Sequence, residues 1–139
     1  MEMIKQREEE IVAEFELFDN WMEKYEYIIE LGKELPLLPE SEKSDELLIE
    51  GCQSRVWLKT SGDYRLIEFH ASADAIITKG IIALLIRLVN KIQPQDLVAY
   101  DFAVVHKIGL EEHLSPTRSN GLNGMIKRLK NEALKQCKA

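Results

Sequence analysis

The chain has 139 residues, of which 45% are hydrophobic and 30% charged, proportions typical of a globular protein with one buried core. A net charge of −6 argues against non-specific nucleic-acid binding, and the longest apolar run, 81–89, is interrupted by Arg87 and is too short to cross a membrane, which takes about 20 residues. The two cysteines, Cys52 and Cys137, are too few for a secreted disulfide scaffold and form no C-x-x-C pair.

The N-terminal third predicts a helical hairpin. A first amphipathic helix is indicated by apolar residues at helical spacing in an acidic background. These residues are Ile4, Ile11, Phe15 and Phe18. Asn20 followed by Glu23 is typical of a capping box and predicts the start of a second helix, which we expect to end at Gly32. Trp21, Tyr25 and Ile28 share one face of it, which we interpret as packing.

A β-hairpin is predicted in the middle of the chain. Residues 33–50, with two prolines and several charges, predict an ordered surface loop. Two alternating runs then follow, 55–60 and 65–71, around the glycine-containing turn Ser61-Gly62-Asp63. Cys52 is therefore expected on a loop just ahead of the first strand.

The remaining residues predict helices. Residues 76–90 are apolar nearly all round, which indicates a helix buried against the sheet. Pro94 predicts the start of a short helix, and 101–109 fits either a strand or a helix. Ser115 precedes a last helix. Its expected apolar stripe is Leu122, Ile126, Leu129 and Ala133. This order predicts a single α+β domain, 1–139, with helices packed against a small antiparallel sheet that contains the hairpin.

Cys52 is the candidate for chemistry. A reactive thiolate must be reachable, and Gly51 leaves the backbone free to bend, while Gln53 and Ser54 add polar groups. An isolated cysteine is more often a small buried hydrophobe, so from the residues alone both interpretations stay open. Cys137 lies in a lysine-rich terminus and is interpreted as an exposed bystander.

The sequence gives little support for a metal site, a nucleotide site or a hydrolase site. His70, His106 and His113 show no metal-ligand spacing, so no metal site is predicted. Neither a Walker loop nor a G-x-G-x-x-G motif is present, and the Gly121-Leu122-Asn123-Gly124 segment predicts nothing specific. A cysteine hydrolase would need a histidine beside Cys52, a geometry that the sequence does not test.

The two parts of the chain differ in charge. Residues 1–50 carry 16 acidic and 5 basic side chains, whereas residues 51–139 carry 8 acidic and 13 basic ones. The asymmetry either orients a protein partner or reflects two solvated faces of opposite sign.

Residues 1–10 contain no apolar stretch after a basic one, which is unlike a signal peptide, so we expect a cytoplasmic protein.

Several motifs in one order resemble SufE-like sulfur acceptors of iron–sulfur cluster assembly. The sequence GCQSRVW at 51–57 resembles the cysteine motif of that family. The other similar segments are Phe18-Asp19-Asn20-Trp21 with Tyr25, 31–36, 74–80 and 113–121. The resemblance covers nearly the whole chain. It implies a fold similar to that of the IscU-type scaffold, a small antiparallel sheet with helices packed against it.

The resemblance also implies a function. Members of this family accept sulfur, here on Cys52, from the persulfide of a pyridoxal-phosphate-dependent cysteine desulfurase of the SufS or CsdA type. They stimulate the desulfurase and pass sulfur to an iron–sulfur scaffold complex. The expected protein is thus a carrier with no cofactor of its own, rather than an enzyme with its own turnover. The alternatives are a cluster scaffold, which needs about four ligands, and a non-catalytic interaction module of the same pathway.

Three further residues are expected to support Cys52. Arg118 matches the family's arginine before the last helix and is expected to position the Cys52 loop or to contact the partner. Asp74 either holds that loop or caps the buried helix, the latter being the simpler role. Gln53 is expected to hydrogen-bond the resting loop. The sequence does not distinguish a monomer from a homodimer.

Overall fold

The computed structural model describes residues 1–35, 38–52 and 54–138. Within these residues the chain forms six α-helices and one antiparallel pair of strands. They are α1 (Glu2–Glu16), α2 (Trp21–Lys33), β1 (Val56–Gly62), β2 (Ile67–Ala73), α3 (Ile76–Val89), α4 (Pro94–Ala99), α5 (Val104–Lys107) and α6 (Pro116–Cys137). Short 3-10 turns span Glu40–Glu42, Asp45–Leu47 and Glu111–His113. The predicted α+β class is confirmed.

Helix α3 lies at the centre of the core. It is the predicted buried helix, and its side chains are buried on nearly every face, with Ile76 at its start as the exposed exception. It contacts α1, α2, α6 and strand β2, so the other elements enclose it. A helix that is apolar all round is stable only in such surroundings. None of the described helices has the length and apolar character needed to span a bilayer.

The α1–α2 hairpin forms as predicted, with two corrections at its ends. Asn20 caps α2 by accepting a 3.0 Å hydrogen bond from the Glu23 amide. Phe18 lies beyond the end of α1, because that helix stops two residues earlier. Helix α2 ends at Lys33, one residue beyond the predicted end at Gly32.

Gly32 is needed because α2 and α3 approach each other closely. A Cβ atom at Gly32 would lie 2.7 Å from the backbone nitrogen of Gly80 in α3. A Cβ atom at Gly80 would lie 2.2 Å from the carbonyl oxygen of Ile28. Both separations are shorter than any van der Waals contact, so the two glycines let the helix backbones touch.

The hairpin pairs β1 with β2 from Val56↔Ala73 to Gly62↔Ile67. The predicted turn at 61–63 is wrong, because β1 continues through Gly62, whose φ of +97° suits glycine. The turn is made by residues 63–66 instead. Asp63 stabilises it locally, since its carboxylate accepts a 2.8 Å hydrogen bond from the Arg65 amide.

The C-terminal helices follow the prediction with small shifts. The ambiguous 101–109 segment contains the helix α5. Ser115 caps α6 by accepting a 3.3 Å hydrogen bond from the Arg118 amide. The buried face of α6 includes Met125, whereas the predicted Ile126 is only half-buried. The loop at 33–50 contains two of the 3-10 turns, and its Leu38 and Ile49 side chains are buried.

Replacement of Gly80 by alanine tests the close contact between α2 and α3. We expect Gly80→Ala to lower the free energy of unfolding by about 1–3 kcal/mol, because overpacking outweighs the better helix propensity of alanine. Urea denaturation measures the change. Gln6→Ala, at an exposed position of α1, is the control and should change stability by less than about 0.5 kcal/mol. A Gly80→Ala protein as stable as its parent would contradict the contact.

Candidate functional site

The Cys52 loop precedes β1, and its described residues are 50–52, 54 and 55. The Ile49 amide donates a 2.9 Å hydrogen bond to the Val56 carbonyl, which closes the base of the loop. Gly51 has a φ of +91°, in the region that favours glycine. The prediction that Cys52 lies on a loop ahead of the first strand is confirmed.

Two glycines of α6 form the surface under this loop. A Cβ atom at Gly124 would lie 2.4 Å from the Glu50 carbonyl oxygen, so only glycine allows the loop to lie where it does. At Gly121 a Cβ atom would lie 3.5 Å from the Cys52 sulfur, an ordinary contact distance. The thiol points toward the Gly121 carbonyl, with Sγ 3.6 Å from the oxygen. Sequence reasoning missed this pair, because two helical glycines become informative only once the segment crossing them is known.

A cavity of about 460 Å³ opens beside the thiol, between the loop, the start of α3 and the start of α6. Its polar lining includes Ser54, Thr78, Thr117 and Arg118, and its apolar lining includes Ile77, Ile81 and Met125. The Ser54 and Thr78 hydroxyls lie 3.0 Å apart and link the loop to α3, a contact that the sequence did not indicate. The cavity has room for a small group attached to the sulfur.

The thiol is half-buried, and this burial raises the pKa of Cys52 above its ordinary value. Removal from water penalises the charged thiolate, and desolvation is the cause of the shift. Since the thiolate is the nucleophile, the resting position keeps Cys52 in its less reactive, protonated form.

Asp74 holds the C-terminal side of the loop. Its Oδ1 accepts a 2.9 Å hydrogen bond from the Arg55 amide, and its own amide donates to the Arg55 carbonyl at 3.1 Å. Arg55 and Asp74 are the next pair beyond Val56↔Ala73, and in this pair the Asp74 carboxylate takes the place of the Asp74 backbone carbonyl. The simpler prediction, that Asp74 caps α3, is wrong: the cap position is Ala75, which provides no side-chain cap.

The sequence suggested that Arg118 precedes the last helix, but it lies in the first turn of α6. Its side chain lines the Cys52 cavity and is exposed. The structure therefore brings Cys52, Asp74 and Arg118 to the same cavity. Gln53 lies outside the described residues, and its expected hydrogen bond to the resting loop stays a prediction.

The second cysteine lies far from this site. Cys137 is exposed at the end of α6, and neither cysteine forms a disulfide. Cys52 contacts Gly121, which precedes Cys137 by sixteen residues in α6. The two sulfurs are therefore separated by about 24 Å of helix. No histidine is among the described residues that line the cavity, and His113 instead stacks on Trp21.

Comparisons with known proteins give a consistent result. The model of the family described as "SufE: Fe-S metabolism associated domain" matches residues 9–133. An uncharacterized SufE-like protein of Rhizobium meliloti is 39% identical over 130 residues, covering 90% of this chain and 93% of that protein. Another, from Rhizobium etli, is 40% identical over 130 residues, covering 90% and 88%. A solved structure of a hypothetical protein from Thermus thermophilus shares the fold, with a TM-score of 0.78, 16% identity and coverage of 96% and 97%.

The two α6 glycines offer a matched pair of variants. In a Cys137→Ser background, we expect Gly124→Ala to speed alkylation of Cys52 by iodoacetamide about tenfold, the factor that corresponds to ~1.4 kcal/mol of overpacking against the resting loop. Gly121→Ala should change the rate by less than about twofold, because its Cβ makes an ordinary contact. Intact mass spectrometry follows the reaction. Equal alkylation rates for the two variants would contradict the close contact between the loop and Gly124.

The raised pKa of Cys52 predicts a distinctive pH profile. The rate at which Cys52 is alkylated in the folded protein should inflect at a higher pH than in the urea-unfolded chain. In the unfolded chain the pKa of the thiol is near its ordinary value of about 8.5. By linkage, the contribution of this thiol to stability is complete below the unfolded pKa and is lost as pH rises through the folded pKa. A folded profile that inflects at or below the unfolded one would show that burial does not govern this thiol.

Proposed function

Because the chain belongs to the SufE family, whose domain is associated with iron–sulfur metabolism, we propose that it accepts sulfur on Cys52 from a cysteine desulfurase and delivers it for cluster assembly. The observation that carries this proposal is the position of the thiol. It lies on a short loop that rests on α6 and is attached there and at α3 by hydrogen bonds. Such a loop can release the thiol without unfolding the core.

Transfer of sulfur is a thiol exchange that balances without an external oxidant. The Cys52 thiolate attacks the terminal sulfur of a persulfide on the desulfurase. A sulfur–sulfur bond forms on Cys52, the sulfur–sulfur bond in the desulfurase breaks, and the desulfurase cysteine leaves as a thiolate. The proton lost by Cys52 before attack is matched by the one that the leaving thiolate takes up.

The resting position makes this reaction conditional. While the loop lies on α6, burial raises the pKa of Cys52 and keeps the thiol protonated. When the loop moves into the partner, the pKa returns toward its ordinary range and the thiolate becomes available. On the way back, the cavity beside Gly121 accommodates the added sulfur. In this proposal the protein acts as a cytoplasmic carrier and activator, a single domain with one working thiol and no turnover of its own.

The partner is a pyridoxal-phosphate-dependent desulfurase of the SufS or CsdA type, and a scaffold complex receives the sulfur afterwards. The rim of the cavity supports docking of a protein rather than a small molecule. Exposed Ile76 adjoins it at the start of α3, with 68% of the residue accessible, and Asp74 and Arg118 provide charges of both signs. An exposed apolar group among charges is common at protein interfaces.

The scaffold alternative receives less support. A cluster is held mainly by thiolates, about four of them. Cys52 and Cys137 are too far apart to share one, and the described residues contain no group of three potential metal ligands. In the interaction-module alternative, Cys52 would be dispensable, so Cys52→Ser would still stimulate the desulfurase fully.

Intact mass spectrometry without reductant tests the proposal. Incubation with an active cysteine desulfurase and free cysteine should add about 32 Da per sulfur. Cys52→Ser should abolish the addition, because it removes the attacking sulfur, whereas Cys137→Ser should retain it. No added mass with desulfurases of both types would contradict the carrier role.

Arg118 is tested by substitution. We expect Arg118→Ala to slow sulfur acceptance by about tenfold, because a cation at the cavity that orients the loop or the partner is lost. Thermal stability should change by less than about 0.5 kcal/mol, since the side chain is exposed. Arg65→Ala, an exposed arginine at the hairpin turn, is the control. Equal transfer rates for Arg118→Ala and the parent would remove Arg118 from the mechanism.

A further inference from the structure

Arg128 lies on the same face of α6 as the two glycines under the Cys52 loop. The positions 121, 124 and 128 are spaced by three and four residues, which aligns them along one side of a helix. The Arg128 side chain is partly buried and reaches the segment just before the loop. This face of α6 therefore presents a gap for the loop at Gly124 and, one turn later, a charged donor.

The guanidinium binds two backbone carbonyls of that segment. One nitrogen donates to the Leu48 carbonyl at 2.9 Å and the other to the Glu46 carbonyl at 3.0 Å. Arginine carries its donors in a fixed planar fork, so the two hydrogen bonds define the orientation of the segment as well as its position. A lysine has no such fork and cannot reproduce the pair.

The segment held by Arg128 is the N-terminal stem of the loop. Leu48 forms a bridge with Trp57, and the Ile49 amide bonds to Val56, so residues 46–49 run beside the start of β1. Beyond Ile49, Glu50 lies against Gly124, Gly51 lies beside Asn120 and Cys52 lies against Gly121. The two hydrogen bonds of the guanidinium therefore hold the chain just before the loop.

We propose that Arg128 is a positioning residue that fixes the pivot of the Cys52 loop. Arg128 holds one stem on α6, and Asp74 holds the other stem at Arg55, so Cys52 moves between two held points. Cys52 is three residues from Ile49 and can extend about 10 Å from it. The fixed pivot therefore limits the travel of the thiol and returns it to Gly121. The consequence for sulfur transfer rests on the proposed function, whereas the resting position of the loop does not.

The experiment uses the full chain with Cys137→Ser and three further substitutions. We expect Arg128→Ala to speed iodoacetamide alkylation of Cys52 about tenfold, as loss of the two hydrogen bonds loosens the stem. Arg128→Lys should give an intermediate rate, because lysine can bond only one carbonyl in this geometry. Lys127→Ala, which removes an equal charge from the neighbouring position, should leave the rate unchanged.

The dependence on urea separates positioning from general destabilisation. Opening of the loop exposes little surface, so the rate in Arg128→Ala should stay nearly flat at urea concentrations below the unfolding transition. A steep rise with urea would mean that the variant reacts through global unfolding, which would overturn the proposal. An unchanged rate in Arg128→Ala, or an equal increase in Lys127→Ala, would also overturn it.

Sulfur acceptance provides an opposite readout. With saturating desulfurase, Arg128→Ala should accept sulfur about tenfold more slowly, although its thiol is more accessible to small reagents, because the thiol is no longer delivered in one orientation. Transfer as fast as in the parent would overturn the role in positioning. If the parent itself accepts no sulfur, the proposed function fails, while the alkylation rates still decide whether Arg128 fixes the loop.

Discussion

The core helix α3 sets the arrangement of the other elements, because it is apolar on nearly every side. Ten of its 14 residues are buried, so no single neighbour can cover it and it must be enclosed from several directions. Strand β2, the α1–α2 hairpin and α6 provide that enclosure. Enclosure also brings the start of α3 and the start of α6 together, and the cavity beside Cys52 lies between those two ends.

Close backbone approaches at glycine occur twice and serve different ends. Between α2 and α3, Gly32 and Gly80 let two helices of the core touch, and the contact is permanent. Between α6 and the Cys52 loop, Gly124 leaves room for the Glu50 carbonyl, so that an exposed segment lies against the helix. No described residue of the loop belongs to the buried core, and Cys52 is only partly buried against it, so the second contact buries little apolar surface. Its free energy is therefore small compared with that of the core, which fits the proposed function, in which the contact is released and remade.

Burial of Cys52 connects this geometry to reactivity. The resting loop raises the pKa of the thiol through desolvation, so no neighbouring carboxylate is needed to keep the thiol protonated. In the proposed mechanism, the attachments that hold the loop therefore control when the thiolate forms. Asp74 and Arg128 hold the two stems through hydrogen bonds with backbone groups. Such bonds fix the position of the stems and place no requirement on the side chains of the loop between them.

Elements with local signals could be predicted from the sequence. The buried helix at 76–90, the capping residue Asn20, the start of the last helix after Ser115 and the loop position of Cys52 follow from periodicity and from signals within a few residues. The roles that depend on partners distant in the chain emerged only from the packing: Gly32 contacts α3, Asp74 binds Arg55 instead of capping α3, and Gly124 accommodates the loop. The reason is physical, since a glycine or a carboxylate offers several local roles of similar free energy, and the segment packed against it selects one.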